Sequence, residues 1–152
     1  MTICTRAVSL ISTTLIVSAM IVPLAANPTA TQAVAAESLK VTVKYTGKGD
    51  VDKTHRLWVW LFDSPDIGPG AIPVAEMSLE ENGSAATFNG LTAQKVWIAV
   101  AYDEKGGFGG SAPPPSGSPV MLYGAESGAP APVTPGEAVE VAISFDDSQR
   151  MP

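Results

Sequence analysis

Strict alternation of apolar and polar residues marks the first regular stretch of the chain. In residues 39–45, LKVTVKY, Leu39, Val41, Val43 and Tyr45 fall on one side and Lys40, Thr42 and Lys44 on the other. That is the period of a strand with one buried face. Residues 137–145, EAVEVAISF, repeat the pattern with Val139, Val141, Ile143 and Phe145. Residues 56–62, RLWVWLF, and 95–102, KVWIAVAY, are apolar almost throughout. The first, bounded by Asp-Ser-Pro, predicts a central strand buried on both faces, and the second predicts another strand. Residues 74–80 and 84–89 flank Glu81-Asn82-Gly83, and an Asn-Gly between strand-like runs predicts a hairpin. Asn82-Gly83-Ser84 also fits the N-glycosylation pattern, but turn chemistry explains it sufficiently. A further short strand is expected at 120–123, VMLY.

The connecting stretches are rich in glycine and proline. Residues 63–73, DSPDIGPGAIP, and 103–119, DEKGGFGGSAPPPSGSP, cannot sustain a ladder or a helix. No stretch from residue 37 onward shows a helical period. Seven short strands separated by turn signals predict an all-β domain, a single antiparallel β-sandwich of about seven strands. There is no internal repeat.

The segment before these strands reads differently. Arg6 is the only charge ahead of Glu37, and Ala7 to Ala26 are apolar or small. Ala33-Val34-Ala35-Ala36 offers an A-x-A-like cleavage site. This predicts a signal peptide over 1–36 and a β-sandwich domain over 37–152, with the cut after Ala36 or Ala35. A retained anchor is the competing reading, since 20 apolar or small residues can cross a bilayer. The switch to strand pattern at Ser38 favours cleavage, leaving no membrane span in the mature chain. Cys4 lies too early for a lipid-attachment cysteine. The expected location is secreted or periplasmic.

Thr87-Phe88-Asn89-Gly90-Leu91, followed by Val96-Trp97-Ile98-Ala99-Val100-Ala101-Tyr102-Asp103, resembles a step common in exported bacterial sandwiches of the prealbumin-like and carboxypeptidase-regulatory-like kinds. Trp58-Val59-Trp60-Leu61 and Ser144-Phe145-Asp146-Asp147-Ser148 strengthen the likeness to small exported bacterial proteins of unassigned function. Ala93-Gln94-Lys95 stands where the regulatory-like domains usually carry a Pro-x-Gly-x-Tyr step. The resemblance implies an immunoglobulin- or prealbumin-like fold and a binding or scaffolding role, and it brings no catalytic residue.

Composition narrows the chemistry. Without the signal segment, eight Lys and Arg face all fifteen acids, a net charge of −7. That argues against nucleic acid and anionic lipid as partners. The predicted mature chain has no cysteine, and His55 is the lone histidine. Ser–His and thiol chemistry therefore lack their parts. No HExxH, CxxC or Walker-type loop occurs, so the expectation is a protein that is not an enzyme. A carboxylate-based hydrolase remains as an alternative, although no acid pair is nominated by spacing.

Two groups of residues invite a functional reading. In 56–62, Trp58, Trp60 and Phe62 share a face, and in 95–102 Trp97, Ala99 and Ala101 do. If the aliphatic faces fill the core, the indoles point outward. They are then either covered by the proline-rich loop or used as a ligand or partner face, with Phe108 joining Trp58, Trp60 and Trp97. A protein, a carbohydrate or a second copy of the chain would suit such a face. Second, up-and-down strand alternation gathers Asp50, Asp52, Asp103, Glu104, Asp146 and Asp147 at one end, a candidate Ca²⁺ site or merely solvated turns. The leading expectation is a non-catalytic exported binding or interaction module. The alternative is a self-associating structural component of the cell envelope.

Overall fold

The computed structural model describes residues 37–110 and 113–152. The predicted signal peptide lies outside the described residues. The domain is all-β: β1 (Ser38–Tyr45), β2 (Leu57–Phe62), β3 (Ala75–Leu79), β4 (Ala85–Asn89), β5 (Val96–Tyr102), β6 (Val120–Leu122), β7 (Pro132–Val133) and β8 (Val139–Phe145). One short 3-10 turn, Ala125–Ser127, interrupts them. Among the described residues no helix is long and apolar enough to cross a membrane.

The strands form two sheets, β4-β1-β8 and β3-β2-β5-β6, with β7 also pairing with β5. The main core contains Leu39, Val41 and Val43 of β1, Leu57, Val59 and Leu61 of β2, Val96, Ile98 and Val100 of β5, and Val141, Ile143 and Phe145 of β8. These are the positions the alternation assigns to the inside. The same bookkeeping explains register. Val41 lies beside Val141, and Lys40 beside Glu140 with an exposed ion pair at 3.1 Å. Such a pair contributes at most about 1 kcal/mol. A one-residue slip would turn Leu39, Val41, Val43 and Tyr45 to water, at roughly 1.5–3 kcal/mol for each aliphatic side chain. Apolar burial, not charge, fixes the pairing.

Three expectations change. First, β1 and β8 run parallel, so the strands are not antiparallel throughout. The cause is parity. β6 and β7 pair with successive parts of β5, at Ala99–Ala101 and at Val96–Trp97, and both run opposite to it. Together they occupy the place of one interrupted strand. Direction then alternates along the chain, and the first and last strands point the same way. Second, β7 is an eighth strand within what reads as Gly/Pro-rich link. Third, Asn82-Gly83 does not close a hairpin. β3 pairs with β2 and β4 with β1, so the turn carries the chain from one sheet to the other. Asn82 explains this. Its side-chain amide accepts from Tyr45 N–H and donates to Tyr45 C=O, both at 2.8 Å, in place of a strand backbone. Gly83 takes φ of 82°, and its N–H donates to Val43 C=O. The glycine serves the turn as expected, and the amide redirects it.

Candidate binding sites

Trp58, Trp60 and Phe62 do project from the outer face of the β3-β2-β5-β6 sheet, but they are covered. They form a second core with Ala99 and Ala101, packed against Ile67, Ala71, Phe108, Val120 and Leu122. Trp60 is 1% exposed. The two indoles stack with centroids 6.2 Å apart and planes at 15°. Phe108 meets them edge-on at 5.5 and 6.1 Å. Trp58, Trp60 and the half-buried Phe108 therefore do not make an open platform, because loops on the sheet's outer side shield them.

The cover is built by residues that composition alone did not single out. Asp103, buried where β5 ends, accepts from Gly106 N–H at 2.9 Å and Phe108 N–H at 2.8 Å. Its carboxylate thus folds the glycine-rich loop back and places the Phe108 ring. Two residues on, Gly110 C=O accepts from Trp60 Nε1 at 2.8 Å. Gly110 has φ of 92°, and a Cβ there would run into the six-membered ring of Trp58. Only glycine fits that backbone and that approach. Trp58 Nε1 is buried with no hydrogen-bond partner among the described residues.

Beside this cover lies a partly open apolar pocket with room for about 130 Å³. Trp60, Phe62, Ala99 and Leu122 form its sheet side, and Ile67, Pro113, Pro114 and Met151 line it from the loops and the C-terminal segment. Ala99 is the small residue opposite the indole that the alternation anticipates. Met151 was not foreseen, and no local pattern marks it.

Trp97 stands apart. It is half-exposed, in a separate and wider groove of about 590 Å³ with Asp63, Val74, Leu91, Thr92, Gln94 and Lys95. Two exposed aliphatic side chains, Ile72 at 83% and Val74 at 47%, lie in the connection into β3. The expected face thus divides into a covered part and an open part.

The acids expected at one end have separate partners around a pair of tyrosines. Tyr45 and Tyr102 stack at 4.3 Å. Tyr45 Oη donates to Asp147, which also accepts from Lys48 N–H at 2.9 Å. Burial, reinforced by Asp147, pushes the Tyr45 phenol well above its ordinary value, and burial also raises Tyr102. The Tyr45 hydrogen bond and the Lys48 N–H hold Asp147 below the usual carboxylate range. The carboxylates are spread over separate tasks. Asp52 accepts from Thr54 and His55 N–H groups at 2.7 Å, which lowers its pKa. Asp146 caps Ser148 N–H at 2.8 Å. Glu104 pairs with Arg150 at 2.7 Å. Asp50 lends its backbone C=O to Tyr102 Oη at 3.0 Å. Among the described residues no three His, Cys, Asp or Glu side chains converge as a metal site would require. His55 lies at the approach to β2, its Nδ1 3.1 Å from Asp52.

The chain matches no protein-family model, and no curated protein is similar enough to count as a match.

Proposed function

We propose that this chain is an exported, non-catalytic binding module, acting outside the cytoplasm once residues 1–36 are removed. In this reading residues 37–152 are a β-sandwich of the immunoglobulin- or prealbumin-like kind, and the aromatic sheet face with its loops is the binding element. The observation that carries it is the apolar cavity of about 130 Å³ between Trp60 and the loop cover. A fully enclosed engineered cavity of about 150 Å³ takes up benzene, and this partly open pocket offers similar room and an apolar lining. The ligand is accordingly a single apolar ring or a branched alkyl group of similar bulk. The employment of Asp52, Asp103, Asp146 and Asp147 as turn caps and hydrogen-bond acceptors supports a role without acid–base chemistry.

Benzene is the direct probe. Saturating benzene is expected to shift the methyl resonances of Leu122 and Met151 and to raise Tm. Ala99→Leu, which fills the cavity, should abolish both effects. Unperturbed methyls at saturation would remove the cavity as a ligand site.

The Trp97 groove favours a second reading, association with a partner polypeptide or another copy of the chain. A half-exposed indole beside the exposed Val74 is anchor chemistry. Sedimentation at micromolar concentration is expected to show a dimer that Trp97→Ala disperses. A monomer at every concentration removes self-association.

A further inference from the structure

The cavity is closed on one side by a segment that belongs to neither sheet. Val120 N–H donates to Gln149 C=O at 3.0 Å, Met151 N–H to Ser118 C=O at 2.9 Å, and Gly117 N–H to Met151 C=O at 2.8 Å. Pro119 and Arg150 face each other across this small antiparallel ladder. Residues 149–151 thus lie along the outside of 117–120, and the Met151 side chain reaches the cavity.

We infer that residues 149–151 are a strap that walls one side of the apolar pocket and narrows its mouth, with the Arg150 guanidinium as its ionic latch; this rests on the pocket's being a ligand site. Among the described residues, Arg150 is the side chain that ties the strap down at its charged end. It meets Glu104 at 2.7 Å, Asp147 at 3.4 Å and Gly117 C=O at 2.6 Å. Glu104 follows β5 and Asp147 follows β8, so the latch grips the ends of strands from both sheets. None of the three residues contributes to the main core. Releasing the strap therefore leaves the sheets intact and removes Met151 and the support behind 117–120. The arginine and both carboxylates are partly exposed, at 38%, 41% and 24% for Arg150, Glu104 and Asp147. Ion pairs in such positions are weak and are screened by salt. A strap held this way opens far more readily than the domain unfolds, and its release widens the mouth through which a ligand enters.

The test uses the whole chain and two readouts. Hydrogen exchange at the Gly117, Val120 and Met151 amides is followed from about 0.05 to about 0.5 M salt. Exchange there is expected to quicken roughly five-fold with salt or with Arg150→Gln, the scale set by exposed ion pairs. Amides of Val59 and Val100 should not respond. Lys40→Gln, which breaks a more exposed ion pair on the other sheet, should change none of the strap amides. The rate of benzene entry, from resonance line shapes, should rise by a similar factor in Arg150→Gln. Exchange unchanged by both salt and Arg150→Gln overturns the latch. Faster exchange with an unchanged entry rate overturns the strap as a gate while benzene binding stands. Benzene bound by neither protein overturns the proposed ligand site and the gate with it, whatever the exchange shows.

Discussion

The two faces of the β2–β5 strand pair are built from the same twelve or so residues yet are closed by different means. The inner face presents Leu57, Val59, Leu61, Val96, Ile98 and Val100 to a second sheet whose register is fixed along seven paired positions. The outer face presents Trp58, Trp60, Phe62, Ala99 and Ala101 to loops. Sheet against sheet is a regular surface, so branched aliphatics at alternate positions suffice. Loop against sheet has no repeat, and closure depends on single devices: the Asp103 brace, the Gly110 approach and the Trp60–Gly110 hydrogen bond. The inner core makes the domain stable. The outer core is the one that can be opened piecemeal, and it holds the cavity.

The sharpest way to separate the two is to damage each in turn. Leu61→Ala, on the inner face, should lower unfolding free energy by about 3 kcal/mol, the range for large-to-small core changes, read from denaturant unfolding. If it costs no more than an outer-face loop change, the two cores are not distinct. Gly110→Ala comes next. Positive φ and the collision with Trp58 should dislodge the cover, at about 1–3 kcal/mol of strain. Its signature should be local: Trp58 and Trp60 become quenchable by acrylamide while inner-core amides keep their exchange protection. Global loss of protection would show that the loop cover and the sheets fold as one unit.

The smallest effect lies where both sheets meet, at the Tyr45–Tyr102 stack. Tyr45 has a raised pKa in the folded state, so its contribution is fully present below about pH 10, the unfolded value, and is lost as pH rises above it. Asp147 has a lowered pKa, so its contribution is present above about pH 4 and is lost as pH falls further. Tyr45→Phe keeps the ring stack and removes the hydroxyl. It should flatten both the alkaline and the acid limbs of a Tm-against-pH curve. Unchanged limbs would mean that the Tyr45–Asp147 hydrogen bond does not couple the sheets to pH.

What the sequence disclosed follows the same division. Alternation in 39–45 and 137–145 placed Leu39, Val41, Val43, Val141, Ile143 and Phe145 inside, because a strand's side chains must alternate. The outward row of Trp58 and Trp60 was legible for the same reason. Neither the parallel β1–β8 neighbours nor the sheet-crossing turn at Asn82-Gly83 was legible. Turn chemistry says that the chain reverses, while partner choice depends on Tyr45, far away in sequence. The strap at 149–151 was hidden for a similar reason. Its three residues carry no periodicity, and their role comes from Glu104, Asp147 and Ser118 arriving beside them. The fold class was readable from local pattern, and the candidate site was readable only as far as the indoles.

The pairing of β1 with β8 also sets the order in which the molecule can be completed. Leu39 finds its neighbour in Val139, a hundred positions later in the chain. Contacts of such span make folding slow, in the millisecond-to-second range for domains dominated by non-local pairing. A chain emerging from its N-terminus cannot finish the β4-β1-β8 sheet until β8 has appeared. Until then Leu39, Val41 and Val43 lack one flank of their sheet.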